Sequence, residues 1–128
     1  MVLGGKRVIK LTFALVRLPQ LTREAFQTYW LETHAPLVAS VKDTLRIRRY
    51  VQLHSLPPEV SEGVRSPRGA PEDFDGVAQL WWDSFEDLAA GADDPAVAAA
   101  GRLLLEDERR FIDLSRSPLW WGEEKVIF

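Results

Sequence analysis

Two histidines are the only side chains in this sequence that titrate near neutrality without help, and each stands in a distinctive run. In "TYWLETHAPLV" (residues 28–38), His34 ends a series in which Phe26, Tyr29, Trp30, Thr33, His34 and Leu37 recur at helical spacing. A neutral imidazole walled by aromatics has its charged form disfavoured, which suits a base that takes a proton beside a carbonyl. The alternative is a helix-terminal histidine bonded to the backbone near Pro36. In "RIRRYVQLH", the alternation of a strand puts Tyr50, Gln52 and His54 on one face, where Tyr50 and Gln52 could orient a carbonyl or phenol while His54 moves a proton. An exposed histidine at a strand end is the competing reading. In "GVAQLWWDS", Gln79, Trp81 and Asp83 share a face, with Asp83 either a further titratable group or simply the start of the next helix. The expected site is therefore His34 and His54 as proton-transfer groups, with Phe26, Tyr29, Trp30, Tyr50, Gln52, Trp81 and Asp83 against the substrate.

Other chemistries find no residues to carry them. The chain has no cysteine, so thiol nucleophiles, disulfides and zinc–thiolate centres are excluded. Neither a HExxH pair nor a GxSxG turn occurs, and "LGGKR" at the start lacks the spacing of a phosphate loop. No metal and no cofactor is expected. A net charge of −3 offers no pull toward nucleic acid. The first apolar run is broken by Lys10 and closed by Arg17, too short to span a bilayer, so a soluble cytoplasmic protein without membrane partners is expected.

At 128 residues the chain is read as a single domain, 1–128. Val8–Val16 reads as a strand with Ile9, Leu11, Phe13 and Leu15 on one face. Thr22 is placed to cap the helix that carries the histidine, and Pro36 predicts a kink or restart, with a short helix over Pro36–Lys42. A second strand is expected from about Leu45 to His54 and a third over Gly76–Asp83. Between them, residues 55–74 hold four prolines and read as a loop, either a lid or a solvated connection. Ser84, with Asp87, marks a capping box. Asp94-Pro95 opens an alanine-rich helix through Phe111, and "EKVIF" is the expected last strand. The order β-α-β-β-α-β is that of the α+β ferredoxin-like plan, a four-stranded antiparallel sheet with helices on one face.

Adjacent Trp81 and Trp82 must leave opposite faces of their strand. Helices can cover only one of those faces, and a bare tryptophan is costly. A homodimer packed sheet to sheet as a barrel is the expected cover. A monomer with the long loop across the sheet is the alternative.

The segments "LTREAFQTYWLETHAPLV", "RRYVQLH", "FDGVAQLWWDSFEDLAA" and "DERRFID", in that order, make the chain resemble the EthD domain family, named for ethyl tert-butyl ether degradation. The resemblance runs from about Leu11 to Ile127 and implies a dimeric α+β barrel. On activity it implies a range: an accessory part in ether degradation, or dehydration or decarboxylation of aromatic polyketide intermediates. Related barrels include cofactor-free monooxygenases, muconolactone isomerases and heme-handling enzymes, and one fold does not choose among them. The expectation is a small cofactor-independent enzyme acting on a hydrophobic aromatic or polyketide-like carbonyl compound. The alternatives are a non-catalytic accessory dimer that binds a small apolar ligand and a heme-handling barrel.

Overall fold

In the computed structural model, which describes residues 7–128, every strand pairs antiparallel and β1 (Ile9–Leu15) runs through the middle of the sheet. The glycines at positions 4 and 5, weighed above as a phosphate loop, lie outside the described residues. After β1 come α1 (Arg23–Tyr29), a π-helical turn (Trp30–His34), α2 (Ala35–Leu45) and β2 (Arg49–His54). Short helical turns, including α3 (Glu62–Arg65), lead to β3 (Gly76–Trp82). Then follow α4 (Phe85–Ala90), α5 (Pro95–Glu108) and β4 (Leu119–Gly122). The sheet order β2-β3-β1-β4 is that of the ferredoxin-like α+β fold.

Register decides which side chains share a face. Phe13 pairs with Ala78 and Leu119, Leu11 with Leu80 and Trp121, and Tyr50 with Leu80. Hence Leu11, Phe13, Leu15, Tyr50, Gln52, His54, Ala78, Leu80 and Trp82 look toward the helices. Lys10, Thr12, Val51, Leu53, Gln79, Trp81 and Trp120 look away from them. The core lies on the first face, where Phe13, Leu15 and Ala78 meet Phe26 and Trp30 from the helical segment and Phe111 and Ile112 from beyond α5.

Local signals place the helix starts. The Thr22 hydroxyl accepts from the Ala25 N–H, the Ser84 hydroxyl from Asp87, and the Asp94 carboxylate from Ala96 with Pro95 at the first helical position. Behind β1, buried Asp75 accepts from the Arg17 backbone and guanidinium and from Arg23, tying the entry of α1 to the start of β3.

Four expectations shift. Pro36 does not break the helix: the turn before it widens to a π turn, with the Ala35 N–H bonded to the Trp30 carbonyl five residues back. Widening at this point accommodates a residue that brings no N–H and whose ring crowds the preceding turn. β2 begins at Arg49 rather than near Leu45, because Arg46 closes α2 in the left-handed conformation. The last strand is Leu119–Gly122 rather than "EKVIF", since Leu119 and Trp121 are the residues that match the apolar face of β1. α5 ends at Glu108, and Phe111 turns inward to become fully buried.

Among the described residues no helix is long and apolar enough to cross a membrane.

Candidate active site

The site is built where the π turn and the end of α5 meet over the sheet. His34 is only 5% exposed, and its ring lies 5.0 Å from that of Phe111. Its Nδ1 is 2.7 Å from a carboxylate oxygen of Asp107, itself 4% exposed. The Tyr29 hydroxyl donates to the other Asp107 oxygen at 2.6 Å, and Arg110 reaches it from the surface at 3.4 Å. Burial would raise the Asp107 carboxyl, but the hydrogen bonds from Tyr29 and His34 and the nearby positive charge carry it below the usual range. An ionised carboxylate only accepts, so Nδ1 carries the imidazole proton and Nε2 is the nitrogen left with a lone pair. Burial lowers the His34 pKa, and the Asp107 carboxylate offsets part of that shift. The imidazole is accordingly neutral at pH 7.

His34 lines a cavity of about 150 Å³ between helix and sheet. The walls are Leu11, Phe13, Trp30, Leu80, Trp82 and other apolar side chains, interrupted by three polar groups: His34, Tyr50 and Glu108. An apolar cavity of roughly 150 Å³ holds one aromatic ring.

Tyr50 has a fixed role in that wall. The Trp30 carbonyl can only accept, so the Gln52 NH₂ group must face it, at 2.9 Å. The same NH₂ donates to the Tyr50 oxygen at 2.8 Å, and the Gln52 carbonyl oxygen is left to accept from His54 Nε2 at 2.7 Å. The phenol oxygen is therefore an acceptor toward Gln52, and its own hydrogen is free to donate elsewhere. His54 also stacks on Trp30, ring centroids 4.6 Å apart. Burial lowers its pKa, keeping it neutral. Gln52 and His54 together hold Tyr50 and Trp30 in place and form a shallower depression with Leu31 and Ala35 beside the cavity.

The anticipated residues thus separate. His34, Trp30 and Tyr50 come together around the cavity, with Gln52 and His54 behind Tyr50. Tyr29 supports Asp107, and Phe26 is fully buried core against Trp30 and Phe111. Trp81 and Asp83 do not join them. Trp81 lies on the opposite sheet face, and its neighbour Trp82 lines the cavity instead, because register fixes the parity. Asp83 is exposed and pairs with Arg48 at 3.3 Å.

Sequence reasoning missed Asp107 and Glu108. A signal existed: Ala100, Leu104, Asp107 and Phe111 recur at helical spacing, so an acid falls on the buried stripe of α5. Glu108 is pushed up to about 7, first by burial and then by the adjacent Asp107 charge, with Arg109 pulling the other way. Among the described residues no group of three or more histidine, aspartate or glutamate side chains converges as a metal site requires.

Comparison with known proteins gives a consistent picture. A conidial pigment biosynthesis dehydratase EthD from Metarhizium robertsii is 26% identical over 120 residues, covering 91% of this chain and 82% of that protein. An EthD-like protein of known structure from Ralstonia eutropha superposes with a TM-score of 0.62 at 21% identity, covering 97% of each chain. A dimeric protein of unknown function and ferredoxin-like fold from Bacteroides fragilis gives a TM-score of 0.53 at 14% identity, covering 91% of this chain and 96% of the other. The EthD domain model matches residues 18–115, well over half of the sequence, and the chain belongs to the EthD domain family.

Proposed function

We propose that the protein is a cofactor-independent enzyme that removes a proton next to the carbonyl of a small hydrophobic ketone bearing one aromatic ring, and that it works as a homodimer. The observation that carries this reading is the His34–Asp107 pair at 2.7 Å in the wall of an apolar, ring-sized cavity. Asp107 orients the imidazole through Nδ1, Nε2 acts as the base, and the Tyr50 hydroxyl donates to the carbonyl oxygen as negative charge grows there. The apolar walls exclude water and bind the ring. Proton removal beside a carbonyl is the first step of dehydration, the activity named for the Metarhizium relative.

The dimer reading rests on the sheet face turned away from the helices, where Leu53 is 56% exposed and Trp120 51% exposed. Trp81 is not bare on that face: Lys10 and Arg49 flank its ring and Glu124 accepts its indole N–H. The ferredoxin-like neighbour from Bacteroides fragilis is described as dimeric, which supports pairing.

The test is hydrogen–deuterium exchange at the C3 methylene of 4-phenylbutan-2-one in heavy water, followed by NMR. The wild-type protein should accelerate exchange, and His34→Ala should lose about 10²–10⁴-fold. A protein that binds the ketone without exchanging its protons would instead be an accessory binder. Heme handling draws no support, because a cavity of about 150 Å³ beside His34 is smaller than a porphyrin.

A further inference from the structure

Glu108 has no part in the proton abstraction described above, yet it stands in the same wall. It follows Asp107 directly in the last turn of α5, so its side chain points about 100° away from the His34 partner. That rotation turns it from the π turn toward the cavity, which it lines with His34 and Tyr50. Burial raises the Tyr50 pKa, and Glu108 when ionised adds to that rise. Among the described residues its carboxyl makes no hydrogen bond or ion pair. Burial and the Asp107 charge, opposed only in part by Arg109, drive this carboxyl toward its neutral form, and a neutral carboxyl is a donor.

We infer that Glu108 is the general acid of a dehydration: it gives its proton to the β-hydroxyl of an aryl β-hydroxy ketone whose α-proton goes to His34. The inference rests on the reading of His34 as the α-proton base. The electron pair of the broken α C–H bond forms the new C=C bond by way of an enolate, whose oxygen accepts from Tyr50. The β C–O bond breaks with its electrons on oxygen, which takes the Glu108 proton and leaves as water. His34 has gained one proton and Glu108 has lost one. Return of that proton through solvent restores both groups, so no oxidant, reductant or co-substrate is consumed. Burial and the neighbouring Asp107 charge, which hold the Glu108 pKa at about 7, leave the acid form populated at neutral pH.

Three probes sharing one aromatic ring separate the steps. 4-Phenylbutan-2-one can only exchange its α-protons. 4-Hydroxy-4-phenylbutan-2-one can lose water to give conjugated 4-phenylbut-3-en-2-one, followed by absorbance. Its acetate ester carries a leaving group that departs without protonation. Glu108→Gln should lose dehydration about 100-fold or more, a loss at least about tenfold larger than any it causes in α-proton exchange or acetate elimination. Glu108→Asp, retaining the acid on a shorter arm, should recover part of the dehydration. Dehydration at the wild-type rate in Glu108→Gln overturns the assignment. So does a loss of exchange and acetate elimination as large as the loss of dehydration, which would mark Glu108 as structural. Absence of exchange in the wild-type protein overturns the His34 reading and this one together.

Discussion

His34 and Asp107, 73 positions apart in the chain, share a 2.7 Å hydrogen bond between two side chains that are nearly sealed from solvent. The contact joins the π turn to the last turn of α5, and it fixes which imidazole nitrogen is free. Asp107→Asn keeps the shape but can present an N–H to Nδ1, which selects the opposite tautomer and places the ring proton on Nε2. The α-proton exchange rate should fall about 10²-fold or more while the circular dichroism spectrum is retained. Exchange at the wild-type rate would show that Asp107 has no part in orienting the base.

The pH dependence follows from two displaced groups. Exchange requires neutral His34, so its rate should rise through a pKa below the ordinary 6.5 and then stay level. Dehydration also requires protonated Glu108, so its rate should fall again as pH rises through about 7. The two reactions should share an ascending limb and differ in the descending one. Glu108→Gln should erase that descending limb from whatever dehydration remains. A descending limb for exchange in the wild-type protein would contradict the division of roles.

The same carboxyl makes a stability prediction. Its folded pKa of about 7 exceeds the ordinary 4.5, so between those values the folded state holds a proton that the unfolded state has released. Stability is therefore favoured at low pH and lost as pH rises toward 7, by an amount of order 3 kcal/mol at most. Glu108→Gln should raise the urea midpoint most at about pH 8 and little at about pH 4. Equal effects at both ends would mean that the carboxyl is not held neutral by its surroundings.

Much of the frame is legible in the sequence because it is written locally. Thr22, Ser84 and Asp94-Pro95 each bond within three residues of themselves, so short-range pattern suffices to find three helix starts. The aromatic stripe around Trp30 and His34 is likewise a helical period. What escapes is set by distance or by register. Asp107 acquires its meaning from His34 and Tyr29 on another element. Trp81 and Trp82 are interchangeable until the pairing of Ile9 with Trp82 decides which one faces the helices. The last strand is misplaced for the same reason: Leu119 and Trp121 become strand residues only by matching Phe13 and Leu11. The π turn depends on a proline and on a carbonyl that also serves Gln52, a combination no local propensity encodes.

Gly76 makes the close approach of β3 to the site possible. A Cβ there would sit 2.8 Å from the Leu53 carbonyl oxygen and press on the six-membered ring of Trp30. Leu53 is held in β2, and Trp30 could give way only by leaving its stack on His54 and moving into the cavity it lines. Gly76→Ala should cost about 1–3 kcal/mol in urea unfolding, the range for overpacking a well-filled interior. A stability change under about 0.5 kcal/mol would show that the strand can shift to make room.

The open sheet face carries the assembly prediction. Thr12, Val51, Val77 and Gln79 form an uncharged patch there beside Lys10 and Arg49, with Leu53 and Trp120 standing out from it. A second sheet packed about 10 Å away would bury those two side chains, and each is worth a few kcal/mol on removal from water. Light scattering should give twice the chain mass of 14.5 kDa for the wild-type protein. Trp120→Glu and Leu53→Glu would place carboxylates inside that contact, where two symmetry-related copies also repel, so each variant should dissociate at concentrations where the wild-type protein stays paired. Neither residue lines the His34 cavity, so a monomeric variant that still exchanges ketone α-protons would show that each site is complete within one chain. Loss of exchange on dissociation would mean that pairing is what holds the cavity in shape. A wild-type protein that scatters as a single chain at every concentration would remove the dimer altogether.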